Sequence, residues 1–392
     1  SSNGLEKYPK LRFPGFDEPY IECRIGDIYS ERSQRGADDM ELLSVTLNDG
    51  VMPRSEIEGK DNSSEDKSNY KVVCKGDMVY NSMRMWQGAN GVSDYDGIVS
   101  PAYTVLMPNK EIDNRYFAAL FKTPNLINEF RKNSQGLTSD TWNLKYPQIR
   151  SIRLYIPSLQ EQHKISAFIS TLEERIGIQR QLVDSLKKYK RGLLHEILCE
   201  KIKVTKSVWN VHKIGDYLNS KNIKQLPTPD APLMAFTATG GVCDKGERYD
   251  RGFLVKDAST KLYKRTDLND FIYSSNNLDV GSIGLNLYGS AVISDVYEIF
   301  SISGADPWFI SEAIQQKSVL HQILKYRQGC LYGQYRIYAE DFLEVSIRVP
   351  PLETQKQIGT IFSRIEYKIK SDQALLDNLE RAKTFFLQQL FI

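Results

Sequence analysis

Apolar residues recur at steps of four and three along two long stretches of the chain. The first series is Ile165, Ile169, Leu172, Ile176, Gln179, Val183, Leu186, Lys190, Leu193 and Ile197. The second is Ile358, Phe362, Ile365, Ile369, Asp372, Leu376, Leu379, Lys383, Phe386 and Leu390. Eight of the ten positions in each are apolar, and the polar exceptions fall at the same places. A spacing of about 3.5 residues keeps one seam turned toward a partner helix. Both stretches are therefore predicted to be long helices that pair. Ser158-Leu159-Gln160-Glu161, after Pro157, has the form of a capping box. Pro350-Pro351 with Glu353 suits the first turn of the second helix. Gly177 and Gly192 each weaken the first helix by about 1 kcal/mol relative to alanine, so burial along the seam must compensate.

The two series stand 193 residues apart, and that offset holds without a gap from Asp113 to Cys199. Earlier segments repeat with a drifting offset. Ile25-Gly26-Asp27 recurs as Ile214-Gly215-Asp216, and "SVTLNDGV" from Ser44 recurs as "AFTATGGV" from Ala235. Asp77 and Tyr80 recur as Asp270 and Tyr273, and Gln135-Gly136 as Gln328-Gly329. Two copies within one chain imply an internal pseudo-two-fold, which makes the helix pair antiparallel. The polar seam positions then suggest a register with Lys190 opposite Asp372 and Gln179 opposite Lys383.

Outside the two helices the pattern changes to short runs. "KVVCKGDMVYNS" (Lys71 to Ser82) reads as β-rich segments around a Gly-Asp turn, and "SPAYTVLMP" (Ser100 to Pro108) as a strand. "RYFAALFKTPNLINEFRKN" (Arg115 to Asn133) has helical spacing broken near Pro124. "GKDNSSEDKSNY" (Gly59 to Tyr70) reads as an exposed loop, and "KVTKSVWN" (Lys203 to Asn210) as a linker. The expected class is α+β: two globular mixed α/β domains separated by two long antiparallel helices that form a coiled coil. The boundaries are 1–156, 157–200, 201–349 and 350–392.

Composition narrows the function classes. The 51 Lys and Arg nearly balance 49 Asp and Glu, for a net charge of +2, so a polyanionic partner is neither demanded nor excluded. Five scattered cysteines form no C-x-x-C pair, which argues against a disulfide framework or zinc cluster and for reduced thiols. No apolar run reaches the ~20 residues of a membrane span, and the stretch from Ser1 to Phe16 lacks a charged-then-apolar leader pattern. A cytoplasmic protein without a membrane is expected. Catalytic motifs are missing as well. There is no P-loop, and "VPPL" at Val349 lacks both the polar first residue and the aromatic last residue of an amino-methyltransferase motif. Glu65-Asp66-Lys67 has no supporting Pro-Asp. His163, His195, His212 and His321 are scattered, and His195 with Cys199 is too few ligands for a metal site.

The order is variable region, "IPSLQEQHKI…LVDSLKKYKRGLLHEIL", variable region, "VPPLETQKQI…LLDNLERAKTFFLQQLF". With "KLRFPGF" at Lys10 and the "IGD" entry to each half, this resembles the specificity subunit of type I restriction–modification enzymes. The resemblance spans about Lys10 to Ile392. It departs at Thr354, where the first copy has Glu161, and at Leu198-Cys199, where Phe is expected. It implies a non-catalytic subunit with target recognition domains at 1–156 and 201–349, each reading one half of a split site in double-stranded DNA. The helices at 157–200 and 350–392 would set the gap and hold two N6-adenine methyltransferase subunits. Restriction (motor–nuclease) subunits would join, and S-adenosylmethionine, Mg2+ and ATP would belong to those partners. The 39 residues from Gln160 to Leu198 rise roughly 58 Å, about 17 base pairs of B-DNA. A coiled-coil adaptor whose heads bind proteins is the alternative.

Base edges are read best by Arg, Asn and Gln on loops, and phosphates by hydroxyls and cations. Matching loops in the two halves supply the candidates. "TLNDG" and "TATGG" offer Thr46, Asn48, Thr237 and Thr239. "NSMRMWQGAN" offers Arg84, Gln87 and Asn90, with Trp86 supporting the loop, and "SSNNLD" offers Ser275, Asn276 and Asn277. "NSQGLTSDTWN" offers Gln135, Thr138 and Ser139, and "RQGCLYGQYR" offers Arg327, Gln328, Tyr332, Gln334 and Arg336. "KKYKR" (Lys187 to Arg191) reads as a solvated helix face that is free to meet a methyltransferase subunit or phosphates.

Overall fold

In the computed structural model the two predicted helices run Leu159–Leu198 and Leu352–Gln389. The structure describes residues 8–35, 40–47, 50–59, 63–139, 141–238, 240–244, 261–276, 278, 282–331 and 334–392. None of the seam positions is exposed. The chain divides into two compact units, Ser1–Arg180 with Ala374–Ile392, and Gln181–Gln373. In the first unit the early part of the first long helix packs on the late part of the second. The Phe168 and Phe386 rings meet edge to face at 4.8 Å, Glu173 pairs with Lys383 at 2.6 Å, and Arg180 with Glu380 at 2.8 Å. In the second unit Lys187 donates to Gln373 Oε1 at 3.1 Å, and Lys190 pairs with Glu366 at 3.0 Å. Numbers rise along one helix as they fall along the other, so the pairing is antiparallel.

The ion pairs correct the expected register. Lys190 meets Glu366 and Glu312, Lys383 meets Glu173, and Asp372 pairs with Lys368 on its own helix. Glu366 and Glu173 each lie six residues before the expected partner. The lysines occupy seam positions, but their stems run along the seam and deliver the ammonium to a carboxylate at its edge. The Lys–Glu pair is itself written twice, at the 193-residue offset. At the helix ends the seam merges with the domain interiors. Ile165, Ile169 and Leu390 pack with Tyr29, Tyr80, Phe117 and Phe130. Ile197, Ile358 and Phe362 pack with Phe271, Phe300, Phe309 and Phe342.

Both units build the same antiparallel sheet. In the first the strand order is Tyr29–Glu31, Tyr103–Pro108, Met78–Asn81, Asn90–Val92; in the second it is Leu218–Ser220, Tyr297–Ile302, Phe271–Ser274, Ile283–Leu285. Each sheet is followed by two helices, Asn114–Leu120 and Pro124–Asn133, or Pro307–Ile314 and Lys317–Leu324. The break between Leu120 and Pro124 falls where the proline predicts it. In each unit the strand before the IGD motif pairs with the strand leading into a long helix: Ile21–Arg24 with Arg153–Ile156, and Asn210–Lys213 with Ser346–Val349.

The repeated motifs have physical reasons. Ile25 and Ile214 are fully buried. A Cβ on Gly26 would stand 3.0 Å from the Arg150 carbonyl oxygen, and one on Gly215 3.2 Å from that of Leu343. The Asp27 and Asp216 carboxylates accept from the Arg24 and Lys213 amides at 2.8 and 3.0 Å. Both long helices open on the same Pro-x-Leu-x-x-Gln pattern, Pro157 to Gln162 and Pro350 to Gln355, and its glutamine is a buried clamp. Gln162 Nε2 donates to the Pro157 carbonyl at 3.0 Å, and its Oε1 accepts from the Asp113 amide at 3.2 Å. Gln355 makes the same bonds to Pro350 and Asp306, at 2.9 and 3.0 Å. Asp113 and Asp306 in turn cap the helices that follow them.

The capping box forms only in part. Glu161 N lies 3.5 Å from Ser158 Oγ, but the Glu161 carboxylate turns to Arg12, making bonds of 2.8 and 2.9 Å, instead of reaching back to Ser158. Thr354 takes its place in the second copy and bonds the hydroxyls of Thr205 and Ser207. Thr205 meets Thr354 where Arg12 meets Glu161 in the first copy. An ion pair in one half is thus a hydroxyl cluster in the other, which accounts for the departure at Thr354.

Candidate nucleic-acid interface

Two loops from separate places in the sequence are brought together at equivalent positions in both units. In the first unit the Leu144 amide donates to the Ser82 carbonyl at 2.9 Å; in the second the Ile337 amide donates to that of Ser275 at 3.1 Å. These four residues are related by the 193-residue offset. The bond joins the turn after the inner sheet strand to the segment that begins with Gln-Gly. Tryptophans lock the first unit's version: Trp86 and Trp142 meet edge to face at 5.3 Å, and Arg131 lies 5.8 Å over Trp86.

Around this frame Arg84, Gln87, Gln135, Thr138 and Ser139 are exposed. Arg84 precedes the short helix Met85–Gln87, which aims Gln87 outward while Met85 is buried. Gln135 and Asn143 exchange backbone hydrogen bonds at 3.0 and 2.8 Å, closing the loop between them. Asn90 is a correction. It is fully buried in its strand, with Nδ2 donating to the Gly88 carbonyl at 3.1 Å. The turn of the preceding short helix needs that donor, so the side chain serves the loop and does not face outward.

In the second unit Arg336 is exposed, lies 5.0 Å over the Tyr338 ring and pairs with Glu298 at 3.3 Å. Arg327 is half-buried, 5.5 Å over the Tyr335 ring. Gln328 Nε2 donates to Asp341 at 2.6 Å, and Asn276 is half-buried. Ser275 is the second correction: only 3% exposed, it donates to the Val296 carbonyl at 3.1 Å and fixes the turn. Asn48, Thr239, Asn277 and Tyr332 lie outside the described residues, as does the Gln334 side chain.

The two glycine turns form matching hairpins, Leu43–Thr46 with Gly50–Pro53 and Ala235–Thr237 with Gly241–Cys243. Gly50 and Gly241 have φ of +71° and +61°, the left-handed region that glycine adopts without strain. Thr46 and Thr237 pair with these glycines, and both are half-buried. Thr237 Oγ1 accepts from the Gly240 amide at 2.9 Å, which ties it into its own turn.

Sequence reasoning missed Arg131, Trp142, Tyr335 and Tyr338. Their aromatic–cation spacing is not periodic, and only the loop crossing brings Trp86 to Trp142. No group of three or more His, Cys, Asp or Glu that could hold a metal occurs among the described residues, and no helix there is long and apolar enough to cross a membrane.

The family model for the type I restriction modification DNA specificity domain matches the chain twice, at residues 24–188 and 207–381. The chain is 22% identical over 354 residues to the MjaX type I restriction enzyme specificity subunit of Methanocaldococcus jannaschii, covering 83% of this chain and 79% of that protein. Its fold is similar to the S subunit of a type I restriction–modification system from M. genitalium, with a TM-score of 0.66, 14% identity, and coverage of 98% of this chain and 99% of the other. A chain from a structure of type I system assembly and conformational transition gives a TM-score of 0.50 at 16% identity, with coverage of 97% and 99%. The adaptor reading finds no support in these similarities. The chain belongs to the type I restriction–modification DNA specificity family, as a specificity subunit with two target recognition domains.

Proposed function

We propose that this chain is the non-catalytic, sequence-reading member of a type I restriction–modification complex. Each target recognition domain reads one half of a bipartite site in double-stranded DNA. The two long helices set the gap between the halves and hold two N6-adenine methyltransferase subunits, and restriction (motor–nuclease) subunits join them. S-adenosylmethionine, Mg2+ and ATP belong to those partners, and the complex works in the cytoplasm.

One observation carries this reading: the same loop pair, joined by the same backbone hydrogen bond, occurs in each unit with unlike outward residues. Gln135 and Gln328 are common to both, but exposed Arg84 and Gln87 stand on one, and exposed Arg336 with half-buried Arg327 on the other. A shared frame with different tips is what two different half-sites require, because base edges are read by side chains while the frame fixes their position. The net charge of +2 leaves much of the phosphate clamp to the methyltransferase subunits.

The test is to express the chain with its methyltransferase in a host lacking such methylation and map methylated adenines. A two-part motif with a fixed gap is expected. A single undivided motif, or methylation indifferent to this chain, overturns the reading.

A further inference from the structure

Leu137 stands on the loop closed by Gln135 and Asn143, and its side chain is 101% exposed. A single exposed leucine is ordinary on a protein surface. This one differs because its loop is braced from several sides and offers it nowhere to pack. The Thr138 amide donates to Thr141 Oγ1 at 3.1 Å, and the Thr141 amide and hydroxyl both return to the Thr138 carbonyl at 2.9 Å. Gly136 has φ of +141°, and a Cβ there would stand 2.5 Å from the Thr141 carbonyl oxygen. Trp142, at the loop's far end, is held against Trp86. The leucine therefore projects from the loop, between Gln135 on one side and the hydroxyls of Thr138 and Ser139 on the other.

We propose that Leu137 is a specificity-determining residue that packs on the 5-methyl group of a thymine in the major groove of the first half-site. The reading rests on the proposed function and adds the base. An apolar side chain distinguishes thymine by that methyl alone, since hydrogen-bonding side chains address the remaining groove atoms. Polar neighbours on both sides suit a side chain lying along base edges. An apolar wedge driven between base pairs works differently, by unstacking a step and kinking the duplex. The offset equivalent of Leu137 is Cys330, a smaller side chain, so the contact belongs to one half-site only.

The test uses the complete methyltransferase complex and duplexes carrying its mapped site. Each thymine of either strand is replaced in turn by uracil, which removes only the methyl. One position in the half-site read by the first unit is expected to lower affinity about four-fold, the worth of one buried methyl group. Leu137→Ala should lose the same factor on thymine and become indifferent to uracil there, while Leu137→Met keeps the sensitivity. Because Leu137 is fully exposed, thermal unfolding of the variants should match the parent. The proposal is overturned if the parent complex ignores uracil throughout that half-site, if Leu137→Ala remains uracil-sensitive, or if the half-site holds no thymine. A 2-aminopurine placed in that half-site that brightens on binding to the parent but not to Leu137→Ala would mark a wedge and overturn it too. A methylation map without a two-part motif overturns both readings; a two-part motif with a silent uracil scan overturns this one alone.

Discussion

Replacing Gln162 with alanine removes a side chain that is 3% exposed and makes two hydrogen bonds in different directions. The Pro157 carbonyl loses its donor and the Asp113 amide its acceptor. Each buried group left unpaired costs about 1–3 kcal/mol, so the pair should cost about 2–4 kcal/mol after water partly replaces the glutamine. The loss should be local. Asp113 caps the helix Asn114–Leu120, so that helix should open more often together with the start of the first long helix. Peptide-resolved amide hydrogen exchange on the full chain reads this directly. Protection should fall at residues 113–120 and hold at 306–314. Gln355→Ala should give the reverse, and the double variant should add, since the two clamps share no partner. Unaltered exchange at 113–120, or equal loss in both regions, would refute the clamp.

Four further outcomes are expected. Arg12→Ala leaves the Glu161 carboxylate buried without its guanidinium and should destabilise by about 3–5 kcal/mol; the pair Arg12→Thr with Glu161→Thr, which removes the stranded charge and leaves two hydroxyls to pair as Thr205 and Thr354 do, should recover most of it in urea unfolding. Burial works against the charged form of Asp113, yet bonds from Ser166, His163 and the Tyr116 amide outweigh it and hold its pKa below the ordinary 3.8. A lowered folded pKa adds stability that is complete above the ordinary value and fades as pH falls through the folded one. Ser166→Gly, which copies Gly359, should therefore flatten the acid side of the stability profile. Nothing stands within 4 Å of a Cβ built on Gly177 or Gly192, so alanine at each should raise stability by about 0.5–1 kcal/mol in thermal unfolding. Deleting one matched heptad from both long helices removes about 10 Å of rise from each, or about three base pairs; the mapped gap should shorten while both half-sites keep their bases, and a change in the bases read would refute the division of labour.

The helices were legible because a coiled-coil seam is a one-dimensional pattern: which residues face a partner follows from spacing alone. Their register was not. Lys190 and Lys383 were matched by position, but a long stem lets the ammonium choose a carboxylate several residues away, and Glu366 and Glu173 win. Arg84 and Gln87 could be picked from the sequence because exposed polar loop residues stand out there. Asn90 and Ser275 look the same on paper and are buried, because an amide or hydroxyl also serves to satisfy a turn's own backbone.

The sequence by itself determined that the chain is doubled, where each helix starts, and which face of each is apolar. Repetition and periodicity are local properties of the string. Only the tertiary structure decided which distant segments meet: Gln162 under Asp113, Arg12 on Glu161, Trp86 against Trp142. Such contacts depend on where the sheet carries its loops and on which buried polar groups still need a partner, and neither is written in the spacing of residues along one strand or helix.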